Sequence, residues 1–394
     1  MEQKLWNRNY LLVFIGIIFI FSNFYLLLSC MPLAVKDLMK LSTEQMSMVV
    51  SIYFLGIVIT RPFSGVIADK IGKKTVSFIA FIFFSLCTAI YLGLDSLYFI
   101  ILIRFLHGII HSVGTTAHAA MAVDFSPAHM KGQAIGYYGL AMCLAMVIAP
   151  ALGLYILDHY DYHTLLIIAT AFGFVGSLIT GLIKAPQKKI TTEKKTFSFK
   201  NLIEKKALPI GFLSLMLSLC YSGVISFIAV YLKERNIDNG SIYFYLALAA
   251  AMIVSRPTIG KIIDKKGASF LVPVALLMFS VSMVLMGFAN SLPFVILTGI
   301  VLGLSYGCVF PCFQTIAVEC CPPERSGSAM GTFFLFYDLG FGIGAIVLAK
   351  VSNLSGYSNM YFIVSALILV ILASFILLKS RINKQITTTT AESI

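Results

Sequence analysis

The chain has 394 residues, of which 59% are hydrophobic and only 12% are charged. A soluble globular domain carries about 25% charged residues, so this chain has too little polar surface to cover itself in water. Its net charge of +12 does not mark a nucleic-acid binder, because the bases fall in short segments between apolar runs and not along one continuous stripe.

A helix that crosses a bilayer needs about 20 apolar residues. Runs of that kind lie at 10–35, 45–68, 76–94, 98–122, 133–157, 162–183, 208–232, 242–263, 270–289, 293–317, 328–350 and 358–379. They predict an all-α polytopic membrane protein. The first run is too long for a signal-peptide core and no A-x-A site follows it, so it reads as a retained span. Ser42, with Gln45 three residues on, predicts a capping box at the second span. Cys30, Cys87, Cys143, Cys220, Cys308 and Cys312 lie inside apolar runs, and Cys320 and Cys321 lie in a loop. None pairs with histidines at zinc spacing. They read as small buried hydrophobes, with no disulfide and no structural metal.

The bases give the orientation. With both termini in the cytoplasm, the inner segments hold 21 of the 29 Lys and Arg, and the outer loops hold five: Lys36, Lys40, Lys233, Arg235 and Lys350. That bias predicts cytoplasmic termini. Segment 184–206 alone holds eight lysines and reads as a cytoplasmic linker with room for a short surface helix. The expected organisation is a six-helix half at 1–184, a linker at 185–207, a second six-helix half at 208–380 and a cytoplasmic tail at 381–394.

The chain also repeats itself. Thr60-Arg61-Pro62, Gly65, Asp69-Lys70 and Gly72 recur as Ser255-Arg256-Pro257, Gly260, Asp264-Lys265 and Gly267, a shift of 195 residues (256 minus 61) at every position. The same shift carries Gly108 to Gly303, Asp124 to Glu319, Pro127 to Pro322, Gly132 to Gly327 and Gly136 to Gly331. One offset at so many positions is the mark of an internal duplication. An even number of spans per half makes it a parallel repeat, with its pseudo-axis along the membrane normal.

Between the second and third spans the chain reads Gly65-Val66-Ile67-Ala68-Asp69-Lys70-Ile71-Gly72-Lys73-Lys74, which matches G-x-x-x-D-[RK]-x-G-[RK]-[RK] in full. A degenerate copy runs from Gly260 through Asp264 to Gly267. In these residues, and over essentially its whole length, the chain resembles the major facilitator superfamily. The resemblance implies twelve helices in two pseudo-symmetric six-helix halves and transport by alternating access. Physical reasoning gives the motif a role of its own. The glycines permit a tight turn and a close helix approach, and Asp69 can sit at the positive N-terminal end of a neighbouring helix. The resemblance suggests the eleventh helix for that neighbour. Lys70 and Lys73 can pair with acids such as Asp124. The group (Gly65, Asp69, Lys70, Gly72, Lys73, Asp124, Gly260, Asp264) reads as a conformational latch. Its plain alternative is a solvated basic loop that only sets topology.

The fourth span opens with Arg104-Phe105-Leu106-His107-Gly108, an arginine and a glycine four apart, as in a second family motif. The resemblance implies a role for Arg104 in proton coupling. The alternative is a structural tie to backbone carbonyls of the first helix. Positions 104, 107, 111 and 118 share one helical face, so Arg104, His107, His111 and His118 form a titratable stripe, with Thr115 beside them. Stripes of this kind line cavities rather than lipid, and His titrates near physiological pH. Interhelical hydrogen bonding is the competing explanation.

Asp338 is the one acid placed deep in a span, about half way along the eleventh. It can serve proton coupling or a cationic solute, or the adjacent glycines can simply be packing there. Asn23 and Tyr25 are milder polar groups in the first span. In the fifth, Ala149-Pro150-Ala151-Leu152-Gly153-Leu154 keeps Pro150 and Gly153 of the G-P-x-x-G-G stretch found in drug–proton antiporters. Its first and last glycines are replaced, and the exporters' usual acid in the first helix is absent. No G-x-x-x-x-G-K-[ST] phosphate loop, H-E-x-x-H or G-x-S-x-G occurs, which argues against ATP-driven transport by this chain and against an enzyme.

These features lead to a cofactor-free secondary transporter, monomeric, in a bacterial cell membrane, with a small solute, protons and the bilayer as partners and no nucleic acid. The leading expectation is proton-coupled efflux of a small organic molecule, a drug or a metabolite. The alternative is proton-linked uptake of an organic acid or sugar. A membrane sensor or lipid-handling scaffold fits the short loops poorly.

Overall fold

A computed structural model describes residues 5–40, 43–94, 96–184, 203–237 and 239–392. Its helices are α1 (Arg8–Met39), α2 (Thr43–Ile71), α3 (Lys73–Ile90), α4 (Leu97–Asp124), α5 (Lys131–His159), α6 (Tyr162–Gly181), α7 (Leu208–Glu234), α8 (Gly240–Lys266), α9 (Ala268–Gly287), α10 (Leu292–Glu319), α11 (Ser326–Ser355) and α12 (Tyr357–Glu392). Twelve helices among the described residues are long and apolar enough to cross a membrane. The expected capping box at Ser42 and the linker's surface helix lie outside the described residues. Helix α12 runs on through the segment expected to be a tail, because 380–392 contain no glycine or proline to end it.

Helix ends follow local chemistry. A single residue separates α2 from α3. Gly72 there has φ 108°, and its repeat partner Gly267, between α8 and α9, has φ 79°, a region that favours glycine. Asp161 caps α6, accepting the Thr164 amide at 2.7 Å. That amide holds the exposed carboxyl below its ordinary range. The cysteines are buried, and burial pushes the Cys320 thiol up to about 12.

The chain divides into two compact units. The first comprises Met1–Pro127, Ala141–Ile203 and Glu324–Gly331, and the second Ala128–Leu140, Glu204–Pro323 and Thr332–Ile394. The first thus takes in the start of α11, up to Gly331, and the second the start of α5, up to Leu140.

In lipid, helices associate through close packing and interhelical hydrogen bonds. In the first unit Gly108 of α4 lies directly on the Tyr53 carbonyl of α2, with no room for a side chain. In the second, Gly303 of α10 lies in the same way on the Leu248 carbonyl of α8. Asn23 of α1 donates to the Ala169 carbonyl of α6 at 2.7 Å and to Thr88 of α3 at 3.1 Å. In the second unit Tyr231 of α7 donates to the Met286 carbonyl of α9 at 2.9 Å. Outward faces carry bare apolar side chains such as Leu354 and Leu377, which suits a lipid surround.

Candidate functional site: a buried polar face on α4 and paired helix caps

The close crossing of α2 and α4 at Gly108 sets the geometry of the α4 stripe. It brings Arg104 Nε to 3.1 Å from the Val49 carbonyl and its guanidinium to 4.7 Å from the centre of the Tyr53 ring. The backbone tie therefore runs to α2, not to the first helix. Arg104 is 1% exposed, and its Nη2 has no hydrogen-bond partner among the described residues.

One turn on, His107 Nδ1 lies 3.3 Å from the Tyr91 hydroxyl. Phe84 packs on its ring at 4.2 Å, and its Nε2 is buried without a partner among the described residues. His111 sits in an aromatic cage of Phe24 at 4.9 Å, Phe84 at 5.4 Å, Phe21 at 5.6 Å and Tyr53 at 5.7 Å. Its Nδ1 has no partner among the described residues. His118, fully buried, lies against Phe81 at 5.3 Å. Buried polar atoms are nearly always hydrogen-bonded. Three unused nitrogens on one face of one helix are therefore a feature to explain.

Two further arginines, one in each unit and related by the repeat, are also buried. Arg61 of α2 donates to the Ser112 carbonyl at 3.3 Å, Thr115 at 3.2 Å and Thr116 at 3.0 Å. Arg256 of α8, its repeat partner, is 3% exposed. Charge inside a span was the available signal for both, since such charge is costly.

Asn23 spends its amide on the α1–α3–α6 tie described above. Tyr25 is half-buried against Phe21 and Phe24. Pro150 lies inside α5, and Gly153 fits closely against Cys30 and Leu26 of α1. Asp338 belongs to the second unit and is half-buried on α11, next to Tyr337, whose hydroxyl meets that of Tyr306 at 2.5 Å.

The loop motif forms a cap. Asp69 accepts the amides of Gly327 at 3.1 Å and Ser328 at 2.8 Å, and the Ser328 hydroxyl at 2.8 Å. Those amides open α11, where the helix dipole favours an anion. Gly65 lies against the Gly327 carbonyl, where a side chain would not fit. Lys73 bonds Asp124 at 2.6 Å and also donates to Ser326, while Lys70 is exposed. The second unit repeats the cap at the same offset. Asp264 accepts the amides of Gly132 at 2.6 Å and Gln133 at 3.0 Å, which open α5, and Gly260 packs on Gln133.

A profile described as "Major Facilitator Superfamily" matches residues 13–345 and 249–392. The chain is 23% identical over 380 residues to the "Multidrug resistance protein MdtG" of Klebsiella pneumoniae (strain 342), covering 92% of each. It is also 23% identical over 381 residues to that of Rahnella sp., with the same coverage. Among solved structures it resembles the human organic anion transporter MFSD10 (TETRAN), with TM-score 0.80 and 17% identity over 93% of this chain and 99% of the other. It also resembles FucP in the outward conformation, with TM-score 0.77 and 14% identity over 94% and 98%. At these identities the structural likeness speaks for the fold alone.

Proposed function

Because the chain belongs to the Major Facilitator Superfamily, and is thus a multi-pass membrane transporter and not an enzyme, we propose that it exports a small organic molecule against inward proton flow. The observation that carries this is the α4 face: Arg104, His107 and His111, each buried and each with a ring or guanidinium nitrogen left unbonded. A buried imidazole with a free nitrogen can take up and release a proton, and Arg104 beside it supplies a fixed charge that biases that exchange. His118 extends the same face, and Asp338 is a second proton or cation site on α11. The multidrug-resistance names of the MdtG relatives support efflux. The Lys and Arg bias supports cytoplasmic termini in a bacterial cell membrane. The protein works as a monomer and has no nucleic-acid partner.

The aspartate caps act as the latch. Asp69 on the opening turn of α11 and Asp264 on that of α5 hold one state, and the cycle requires both contacts to release.

A second reading has its own support. Three buried arginines and three buried histidines against the half-buried Asp338 favour an anionic solute, as in proton-linked uptake of an organic acid or sugar. Everted vesicles carrying a pH-sensitive dye separate the two. Under efflux coupling, at least one of ethidium, tetraphenylphosphonium and 1-naphthoate dissipates a preformed proton gradient only when the protein is present. A gradient indifferent to all three sinks the antiport proposal, and a strain that loses solute content on deletion of the protein favours uptake.

A further inference from the structure

Arg61 and Arg256 hold equivalent places in the duplication, yet their surroundings differ. Shifting the three acceptors of Arg61 by 195 positions turns Ser112, Thr115 and Thr116 into Gly307, Phe310 and Pro311 on α10. Two hydroxyl acceptors are thereby lost. Arg256 Nε and Nη1 are buried with no hydrogen-bond partner among the described residues. The guanidinium occupies the space over Gly139 on α5, where even a methyl group would collide with Nη1. A guanidinium cannot shed its charge, and a buried charge is kept only where something pairs with it.

The neighbourhood describes that partner. Ser255, the residue before Arg256 on α8, packs on Gly307, the residue after Tyr306 on α10. Tyr306 stacks on Tyr221 with ring centres 3.7 Å apart and planes within 10°, and Phe310 packs on it at 5.9 Å. Tyr306, Phe310 and Gln314 follow one another at four-residue steps along one face of α10. Gln314 is 2% exposed, and its Nε2 is a further buried donor without a partner among the described residues. The second unit therefore holds two sets of unused donors beside a wall of aromatic rings.

We propose that Arg256 and Gln314 bind the carboxylate of a planar aromatic solute, whose ring packs on Tyr306, Tyr221 and Phe310. The guanidinium fork matches the two oxygens of a carboxylate, the amide adds a third donor, and the ring cluster gives an apolar seat. This rests on the transporter assignment and narrows its cargo to an aromatic acid.

The test uses purified full-length protein in detergent and two probes of one shape, 1-naphthoate and the neutral 1-naphthamide. The wild type should bind the acid about tenfold more tightly than the amide, the worth of one charge-assisted contact. Arg256→Gln should erase that preference by weakening the acid far more than the amide, and Gln314→Leu should reduce it. Equal binding of acid and amide by the wild type, or a preference that survives Arg256→Gln, overturns the proposal. Melting temperature is the control for structure. Arg61→Met should lower it, because three oxygens lose their donor, whereas Arg256→Met should hold or raise it. An equal fall in both would make Arg256 a structural tie and also overturn the proposal. Binding in detergent needs no proton gradient. Acid preference without proton movement in vesicles would remove the coupling alone, and proton movement without acid preference would remove only this assignment.

Discussion

The two units share a frame and differ in chemistry. Gly108 and Gly303 seat α4 on α2 and α10 on α8, and Asp69 and Asp264 each cap a helix with two amides. Along α4, however, Arg104, His107, His111 and His118 correspond at the same shift to Gly299, Leu302, Tyr306 and Phe313 on α10. Asp338 corresponds to Cys143. The duplication has kept the residues that backbone approach and helix caps dictate, and has rewritten those that line a face. The first unit carries titratable nitrogens, and the second carries stacked rings and a buried arginine whose Nε and Nη1 have no partner among the described residues.

The largest effects should come from the shared frame. Gly108→Ala and Gly303→Ala each force a methyl into a facing carbonyl, so each should cost about 1–3 kcal/mol or more in thermal denaturation. A silent Gly303→Ala would break the equivalence of the two crossings. Next come the caps. Asp69→Asn and Asp264→Asn each weaken charge-assisted bonds to two amides, at about 1–2 kcal/mol. Asp69 should suffer more, because it also holds the Ser328 hydroxyl. Hydrogen exchange should quicken at the first turn of α11 for one variant and of α5 for the other. Exchange unchanged at both turns would remove the latch. A smaller loss, about 1 kcal/mol, is expected from Thr116→Val, which takes one acceptor from Arg61.

The smallest effect sharpens the contrast at the α6 and α12 starts, where Asp161 corresponds to Gly356. The Asp161 carboxyl titrates lower when folded than when unfolded. Its contribution is therefore present above the ordinary carboxylate pKa of about 4 and is lost as pH falls through the depressed folded value. Melting curves of Asp161→Ala and the wild type should converge on that acid side. A constant gap down to the lowest pH would mean that the carboxylate charge contributes nothing.

Much of this frame was legible in the sequence, because hydropathy sets span length and one constant offset exposes a duplication. The family resemblance suggested the eleventh helix as the partner of Asp69, and Asp69 meets the amides of Gly327 and Ser328 there. What stayed hidden depends on rotation about helix axes. The backbone tie of Arg104 runs to Val49 on α2. Asn23 turns out to be committed to a three-helix tie. The difference between Arg61 and Arg256 arises on other helices, at Thr115, Thr116, Phe310 and Pro311, which neither arginine's own segment reveals. The extension of α12 to Glu392 is not visible in hydropathy, which falls there, and the run Thr387–Thr390 has low helix propensity.

The most direct test concerns the proton-carrying role of the α4 face. In proteoliposomes with an imposed solute gradient, interior pH is followed for the wild type, Arg104→Gln and His111→Gln. Glutamine keeps hydrogen-bonding capacity and removes the charge or the titrating ring. The expected result is solute-driven proton movement in the wild type and its loss in both variants, with solute binding retained by His111→Gln. Proton movement at the wild-type rate in His111→Gln would contradict the assignment of coupling to α4.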